Sequence, residues 1–310
     1  MRRWPAAAAL ALLLVPLVPS AYYVNVASQV LIAAVFALSL NLLVGYAGLT
    51  SLGHTAYLGV AAYAAGWLTS RAGLGHLPAA AAALTLTVAT AAFFGVLALR
   101  GTGLAFLMIT LALGQIVWGV AYRWVSLTGG DNGLTGLTRP RPFGLDLGSP
   151  GAFYLFTLAV AALTFAALAL YVRSPLGAAV EGSRDQPRRL RALGHSVWMV
   201  RWLTFVLAGA GGGVAGLLFV YYNQFVGPQA LSLTASAEVL LMVISGGAGT
   251  LVGPIVGAAT VVVLKNVVSA YITRWVMLLG AVFVLIVVFV PEGLVPGLRR
   301  LWRPRSRSRG

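Results

Sequence analysis

Long apolar runs separated by short polar turns make up nearly the whole chain. Runs of about 17 to 25 residues match the length at which a helix crosses a hydrocarbon layer of roughly 30 Å. Ten stretches qualify, at 6–23, 26–47, 53–70, 77–98, 103–122, 151–172, 199–221, 234–251, 252–270 and 272–290. The pattern predicts an all-α, polytopic membrane protein with about ten transmembrane helices. The third, eighth and ninth runs are short or rich in Gly, so some helices are expected to be broken or re-entrant. One transmembrane domain is expected over 1–298, with loops at 123–150 and 173–202 and a basic tail at 299–310.

Composition agrees with this picture and charge orients it. Hydrophobic residues make up 60% of the 310 positions and charged residues only 9%, against roughly 25% charged in an ordinary soluble domain. Ten spans return both termini to one side. Fifteen arginines fall on that side, including Arg100, Arg173, Arg184, Arg188, Arg189, Arg191 and Arg201 and those of both ends, against five (Arg71, Arg123, Arg139, Arg141, Arg274) on the other. Cytoplasmic loops carry the excess of Arg and Lys, which puts the N- and C-termini and the 173–202 loop in the cytoplasm and the 123–150 loop outside. The net charge of +15 is then a topology anchor beside the anionic lipid bilayer, and no nucleic acid partner is expected. The start MRRWPAAAALALLLVPLVPSA also has the layout of a cleaved signal peptide. Its removal would leave nine spans and an external N-terminus with the remaining topology unchanged.

The stretch NLLVGYAGLTSLGHTAYLG, residues 41 to 59, is the least suited to lie in lipid. Gly45, Gly48, Gly53 and Gly59 permit close backbone approach or a helix break, which is tolerated at membrane depth only when buried in protein or lining a cavity. Asn41, Thr50, Ser51, His54 and Tyr57 add polar groups that are costly to bury without use. With Thr110 and Gln115 of the fifth run they are candidates for lining a translocation path; Asn223 and Gln224 are further ones. The alternative is that all of them serve helix packing. In SGGAGTLVGPIVG (245–257), Gly249, Gly253 and Gly257 recur at intervals of four, the spacing of a small-residue packing face. GYAG in the first stretch and GGAG in the second share a likeness; a repeat there would be parallel rather than inverted, the alternative being coincidence in a chain this rich in Gly and Ala. Glu238, the one carboxylate inside a run, is either a gate or proton site or an interfacial Glu with a local partner.

The two loops differ in character. Residues 125–151 are rich in Gly, Pro, Asn and Asp and read as turns. In the 173–202 loop, Pro175 opens one short helix and the Asp185-Gln186-Pro187 step a second that Gly194 can close. Arg184, Arg188 and Arg191 recur at spacings of four and three, giving a basic face opposite Leu190 and Leu193. Glu181, Arg184, Asp185, Arg188, Arg191 and Gly194 are therefore candidates for docking a cytoplasmic partner, the alternative being a solvated linker that only fixes topology.

Signs of catalysis are missing. The chain has no Cys, which excludes disulfides, thiolate metal sites and a Cys nucleophile. Three His and six carboxylates lie scattered, without metal-ligand spacing. No cofactor is expected. The single lysine, Lys265, sits in VVVLKNV, so the phosphate-binding loop G-x-x-x-x-G-K-[ST] is absent. This chain cannot hydrolyse ATP by that route.

Six segments in order carry a family resemblance: SLNLLVGYAGLTSLGHTAYLGVAAY, LRGTGLAFLMITLALGQI, LTGGDNGLTGL, LRALGHSVWMVRWLTFVLAGAGGGVAGLL, AEVLLMVISGGAGTLVGPIVGAA and PEGL. Together the chain resembles the LivM-type permease subunit of branched-chain amino acid ABC importers. The resemblance implies a multi-pass subunit of the bacterial cytoplasmic (inner) membrane that is not itself an enzyme. It implies cytoplasmic ATP-binding subunits, a second permease subunit and a periplasmic substrate-binding protein as partners. It also marks 173–202 as the ATPase-coupling loop, although Glu181-Gly182-Ser183 stands where the family usually has a more apolar helical run. A sugar permease of the ribose-uptake kind, a urea or amide ABC permease, and a secondary transporter are the remaining readings.

Overall fold

A computed structural model describes residues 12–17, 20–140, 147–271, 277, 280–281, 284 and 293–297. Among them the regular structure is helical throughout, and the isolated antiparallel bridge between Leu134 and Val226 is the one β-type pairing. The predicted first span lies partly, the tenth largely, and the tail wholly outside the described residues. The principal helices are α1 (Ala21–Asn41), α2 (Thr55–Ser70), α3 (His76–Ala98), α4 (Leu104–Arg123) and α5 (Pro150–Arg173). They continue with α6 (Pro175–Asp185), α7 (Pro187–Ala192), α8 (Val197–Asn223), α9 (Leu233–Gly246) and α10 (Gly253–Tyr271).

Helix starts are written in the local sequence. Ser149 and Ser174 each precede a Pro, and their hydroxyl oxygens accept hydrogen bonds from the N–H groups of Ala152 and Gly177, both at 3.3 Å. The serine satisfies an orphan N–H of the first turn, and the Pro occupies a position where its missing N–H is not needed. Ser196 and Ser232 cap α8 and α9 in the same way.

Among the described residues, five segments are long and apolar enough to cross a membrane: Ala21–Tyr46, His76–Ala98, Leu104–Arg123, Pro150–Arg173 and Val197–Asn223. Two predicted spans are shorter than expected. The run at 53–70 folds as the 16-residue α2, and that at 234–251 as the 14-residue α9. At 1.5 Å per residue these reach about 24 and 21 Å, less than the roughly 30 Å hydrocarbon thickness. Each adjoins a glycine-rich break, where residues counted as apolar length become loop.

α1 and α8 form the centre, with 72% and 61% of their apolar windows buried, whereas α3, α4 and α5 bury 28% or less. α8 packs on α1, α2 and α3, while α1 also meets α5, α9 and α10. Gly216 of α8 has no room for a side chain, because a Cβ there would overlap the Leu58 carbonyl of α2. Small residues let these backbones approach closely, the usual means of helix association where lipid removes the hydrophobic drive. The outer helices expose Phe93, Leu104, Ile116, Leu163 and Leu170.

Side-chain contacts sort the helix ends. His76 lies beside Tyr221 and hydrogen-bonds Thr138, close to the Leu134–Val226 bridge. Towards the opposite end, the Trp202 indole N–H donates to the Ala92 carbonyl at 3.0 Å, and Arg201 donates to the Ser183 carbonyl. Both glycine-rich breaks lie at this second end, beneath α6.

Candidate functional site

The first break begins where α1 widens. Residues Leu42–Tyr46 form a π-helical turn, closed by the Ala47 N–H to the Leu42 carbonyl at 3.0 Å. Gly48 then takes φ +67°, a left-handed conformation that suits glycine, and the chain runs on to α2. Asn41 fixes the point of departure. Its amide nitrogen donates to the Thr250 carbonyl at 2.9 Å, and its amide oxygen accepts from the Gly249 N–H at 3.0 Å. Both polar ends of a buried side chain are thus used, 208 residues away, on the second break at 247–252. The backbones touch there: a Cβ on Gly45 would overlap Gly249 and the Asn41 amide.

Other polar residues of the stretch anchor it in place. The Leu52 N–H donates to the Thr110 hydroxyl at 3.3 Å, holding the loop to α4. Ser39 Oγ lies 2.7 Å from the Phe36 carbonyl and 2.8 Å from His54 Nε2, with which it shares a hydrogen bond. The His54 ring stacks on Phe36 and meets Tyr57 edge-on. Asn41, Ser51, His54, Tyr57 and Thr110 are all buried, Thr50 is half-buried, and Gln115 is exposed on α4.

The loop at 173–202 meets this junction directly. Arg184, near the end of α6, donates through Nη1 to the Gly45 carbonyl, and its stem covers Gly48. Its Nε donates to Asp185 at 2.7 Å. That hydrogen bond raises the Arg184 pKa further above its ordinary value and holds the Asp185 carboxyl below the usual carboxylate range, so both stay charged at neutral pH. The single basic face expected for Arg184, Arg188 and Arg191 is not formed. Gln186 breaks the helix with φ −144° and ψ 73°, as a residue before Pro is driven out of the helical region. Arg184 therefore sits on α6 and points at the break, while Arg188 and Arg191 lie exposed on α7. Gly194, at φ +86°, closes α7: the His195 N–H reaches the Leu190 carbonyl and the Gly194 N–H that of Arg191, a Schellman ending. Leu190 is buried as expected, Leu193 is 71% exposed, and Glu181 is exposed.

A cavity of about 670 Å³ opens between α1, α8, α9 and α10, away from α6. Its lining includes the apolar side chains of Phe36, Leu58 and Met242 and the polar ones of Gln29, Glu238 and Lys265. Lys265 Nζ stands 3.2 and 3.3 Å from the two Glu238 oxygens.

The sequence over residues 22–288 matches the family described as branched-chain amino acid transport system / permease component. The chain belongs to this family. The permease is 32% identical to the high-affinity branched-chain amino acid transport system permease protein LivM of Salmonella typhimurium and to that of Escherichia coli; each alignment covers 92% of this chain and 72% of the relative. A probable branched-chain amino acid transport permease protein LivM of Methanocaldococcus jannaschii is 24% identical over 84% of this chain and 90% of its own length. No solved structure matches it significantly. It is a multi-pass transport subunit of the membrane and not an enzyme.

In the permease, the residues proposed from sequence fall into two sets. Those of 41–59 and Thr110 gather around the first break, and Arg184 joins them from α6. None of Asn41, Thr50, Ser51, His54, Tyr57, Thr110 or Gln115 lines the cavity; their layer reaches it through Phe36 and the neighbouring Thr55. Asn223 does line it. The expected packing face of Gly249, Gly253 and Gly257 is also altered. Gly249 lies in the loop at φ +79°, and only Gly253 and Gly257 belong to α10. Sequence reading did not join Glu238 to Lys265. The available signal was one carboxylate and one lysine, each alone in an apolar run.

Proposed function

We propose that this chain is the membrane-spanning permease subunit of an ATP-driven importer, carrying branched-chain or other hydrophobic amino acids. Substrate arrives from a periplasmic binding protein. A second permease chain completes the pathway, and separate ATP-binding subunits press on α6 and α7 in the bacterial inner membrane. The observation that carries this reading is the Arg184–Gly45 contact. It ties the basic loop to a helix break, and the break is tied through Asn41 to the second break. A push on α6 is thereby delivered to both discontinuities at once, and discontinuous helices are where transporter substrate paths lie. The residues of 41–59 act in this reading as the movable floor of the path. The names of the LivM relatives support the substrate class.

Vesicles holding the complete transporter, with binding protein and leucine on the substrate side, should take up leucine when ATP is supplied to the α6 side and not with ADP. Uptake that follows an ion gradient without ATP would contradict the proposal. The arginine asymmetry supports ten spans with both termini cytoplasmic. Because the chain has no native Cys, single cysteines at the exposed Gln186 and Thr135 report orientation. An impermeant thiol reagent should reach Gln186→Cys only from the cytoplasm and Thr135→Cys only from outside; the opposite pattern would invert the scheme.

A further inference from the structure

We infer that the Glu238–Lys265 pair is a docking point for the two charges of a zwitterionic amino acid, with Phe36, Leu58 and Met242 receiving its apolar side chain. The inference rests on the proposed amino-acid import and assigns the substrate a site within the permease itself. Three observations support it.

The first is where the charges are. Glu238 is the only carboxylate in any of the ten apolar runs, and Lys265 is the only lysine of the chain. Ionisable groups at such positions are costly and are typically functional. Stability accounts for them poorly, since a partly exposed ion pair contributes little to it.

The second is that the pair can be reached. Both residues line the cavity, and their side chains remain 21% and 42% exposed. The volume of about 670 Å³ falls within the roughly 300–1,000 Å³ of small-molecule sites.

The third is charge matching. An entering α-ammonium can take the Glu238 carboxylate while the α-carboxylate takes the Lys265 ammonium. Every charge keeps an opposite partner, and none is left buried alone. The protein's two charges are already partly withdrawn from water, so the exchange adds little desolvation on that side. Beside them, the Asn266 amide donates to Gln29 at 3.2 Å and Gln29 donates to the Tyr222 hydroxyl at 2.9 Å, a neutral polar margin. One turn along α9 from Glu238, Met242 also lines the cavity, a flexible, polarisable neighbour of the kind that accepts side chains of several shapes. A ligand charged at one end and apolar at the other matches both kinds of lining; a sugar would leave the ion pair unused.

Leucine, leucinamide (no carboxylate) and 4-methylvalerate (no ammonium) separate the outcomes when their binding is measured on the complete transporter without ATP or binding protein. The parent should bind leucine at least about ten-fold more tightly than either analogue, as expected for loss of one charge-assisted contact. Lys265→Met should bring leucine down to the level of leucinamide and leave leucinamide unchanged. Glu238→Gln should bring leucine down to the level of 4-methylvalerate. A merely structural pair would affect all three ligands alike. The inference is overturned if the parent fails to bind leucine, if it binds the three equally, or if an assembled variant keeps the parent's preference. The parent comparison decides the matter even where a variant does not assemble. Absence of leucine uptake by the parent in the vesicle assay would sink the amino-acid reading. Uptake without zwitterion preference in the permease would sink only the site.

Discussion

Arg184→Ala should cut ATP-driven leucine uptake by about 10- to 100-fold while the transporter still assembles and still hydrolyses ATP. The guanidinium of Arg184 is the hydrogen-bonded link from α6 to the Gly45 carbonyl. One hydrogen bond to a charged group is worth about 1.5–3 kcal/mol, which at about 1.4 kcal/mol per tenfold gives the stated range. The contact joins two segments that are otherwise held in place, α6 by Arg201 on the Ser183 carbonyl and the break by Asn41. Removing it should disconnect them without unfolding either. Arg188→Ala is the contrasting variant. Arg188 lies exposed on α7, where a charge acts on association rate and salt dependence, so its loss should weaken ATPase docking at low ionic strength, have little effect at high ionic strength where the charge is screened, and leave uptake per docked complex unchanged. Equal effects of the two substitutions would mean that Arg184 is only another surface charge.

Gly45→Val should remove most assembled transporter from the membrane. The added Cβ would fall on the Gly249 backbone and on the Asn41 amide oxygen; the first is main chain, and the second can move only by giving up the hydrogen bonds that hold it. Overpacking of this kind costs about 1–3 kcal/mol. Here it also displaces Asn41 from the Gly249 N–H and the Thr250 carbonyl, and each buried group left without a partner adds about 1–3 kcal/mol. Gly119→Ala on α4 is the matched control, because a Cβ there meets nothing within 4 Å. It should assemble like the parent. Normal amounts of Gly45→Val complex, measured by purification through a partner subunit, would show that the two breaks do not meet at Gly45.

These variants depend on contacts the sequence does not display. What could be read in it was local: Ser-Pro at 174–175, the Gln186-Pro187 step and Gly194 specify two short helices and their ends, since each signal acts within a turn of where it stands. The family could be read from six ordered segments. The lengths of α2 and α9 could not, because hydropathy counts apolar residues in a break as if they were helical. The partners of Asn41 lie more than 200 positions away and the Arg184 partner of the Gly45 carbonyl lies 139 away, and nothing near residue 41 indicates which backbone its amide meets. Arg184 was misplaced for a related reason. Its spacing to Arg188 and Arg191 suits one helix, but the Pro between them divides the face, and tertiary contact turns the first arginine inward. Likewise Glu238 and Lys265 signal a shared site only once α9 and α10 are side by side.

The claim that α6 drives the first break can be tested by exchanging the hydrogen bond for a covalent one. A Cβ on Gly48 would stand 3.6 Å from that of Arg184, within the roughly 3.5–4.5 Å of a disulfide. The chain has no other cysteine to interfere. A Cys at position 48 must adopt φ +67°, a strain of about 1–2 kcal/mol. In the Gly48→Cys/Arg184→Cys transporter the account predicts weak leucine uptake under reducing conditions, as in Arg184→Ala, and recovery of ATP-driven uptake once the disulfide forms. Uptake that falls further on oxidation and returns on reduction would contradict it, because α6 and the break would then have to separate during transport.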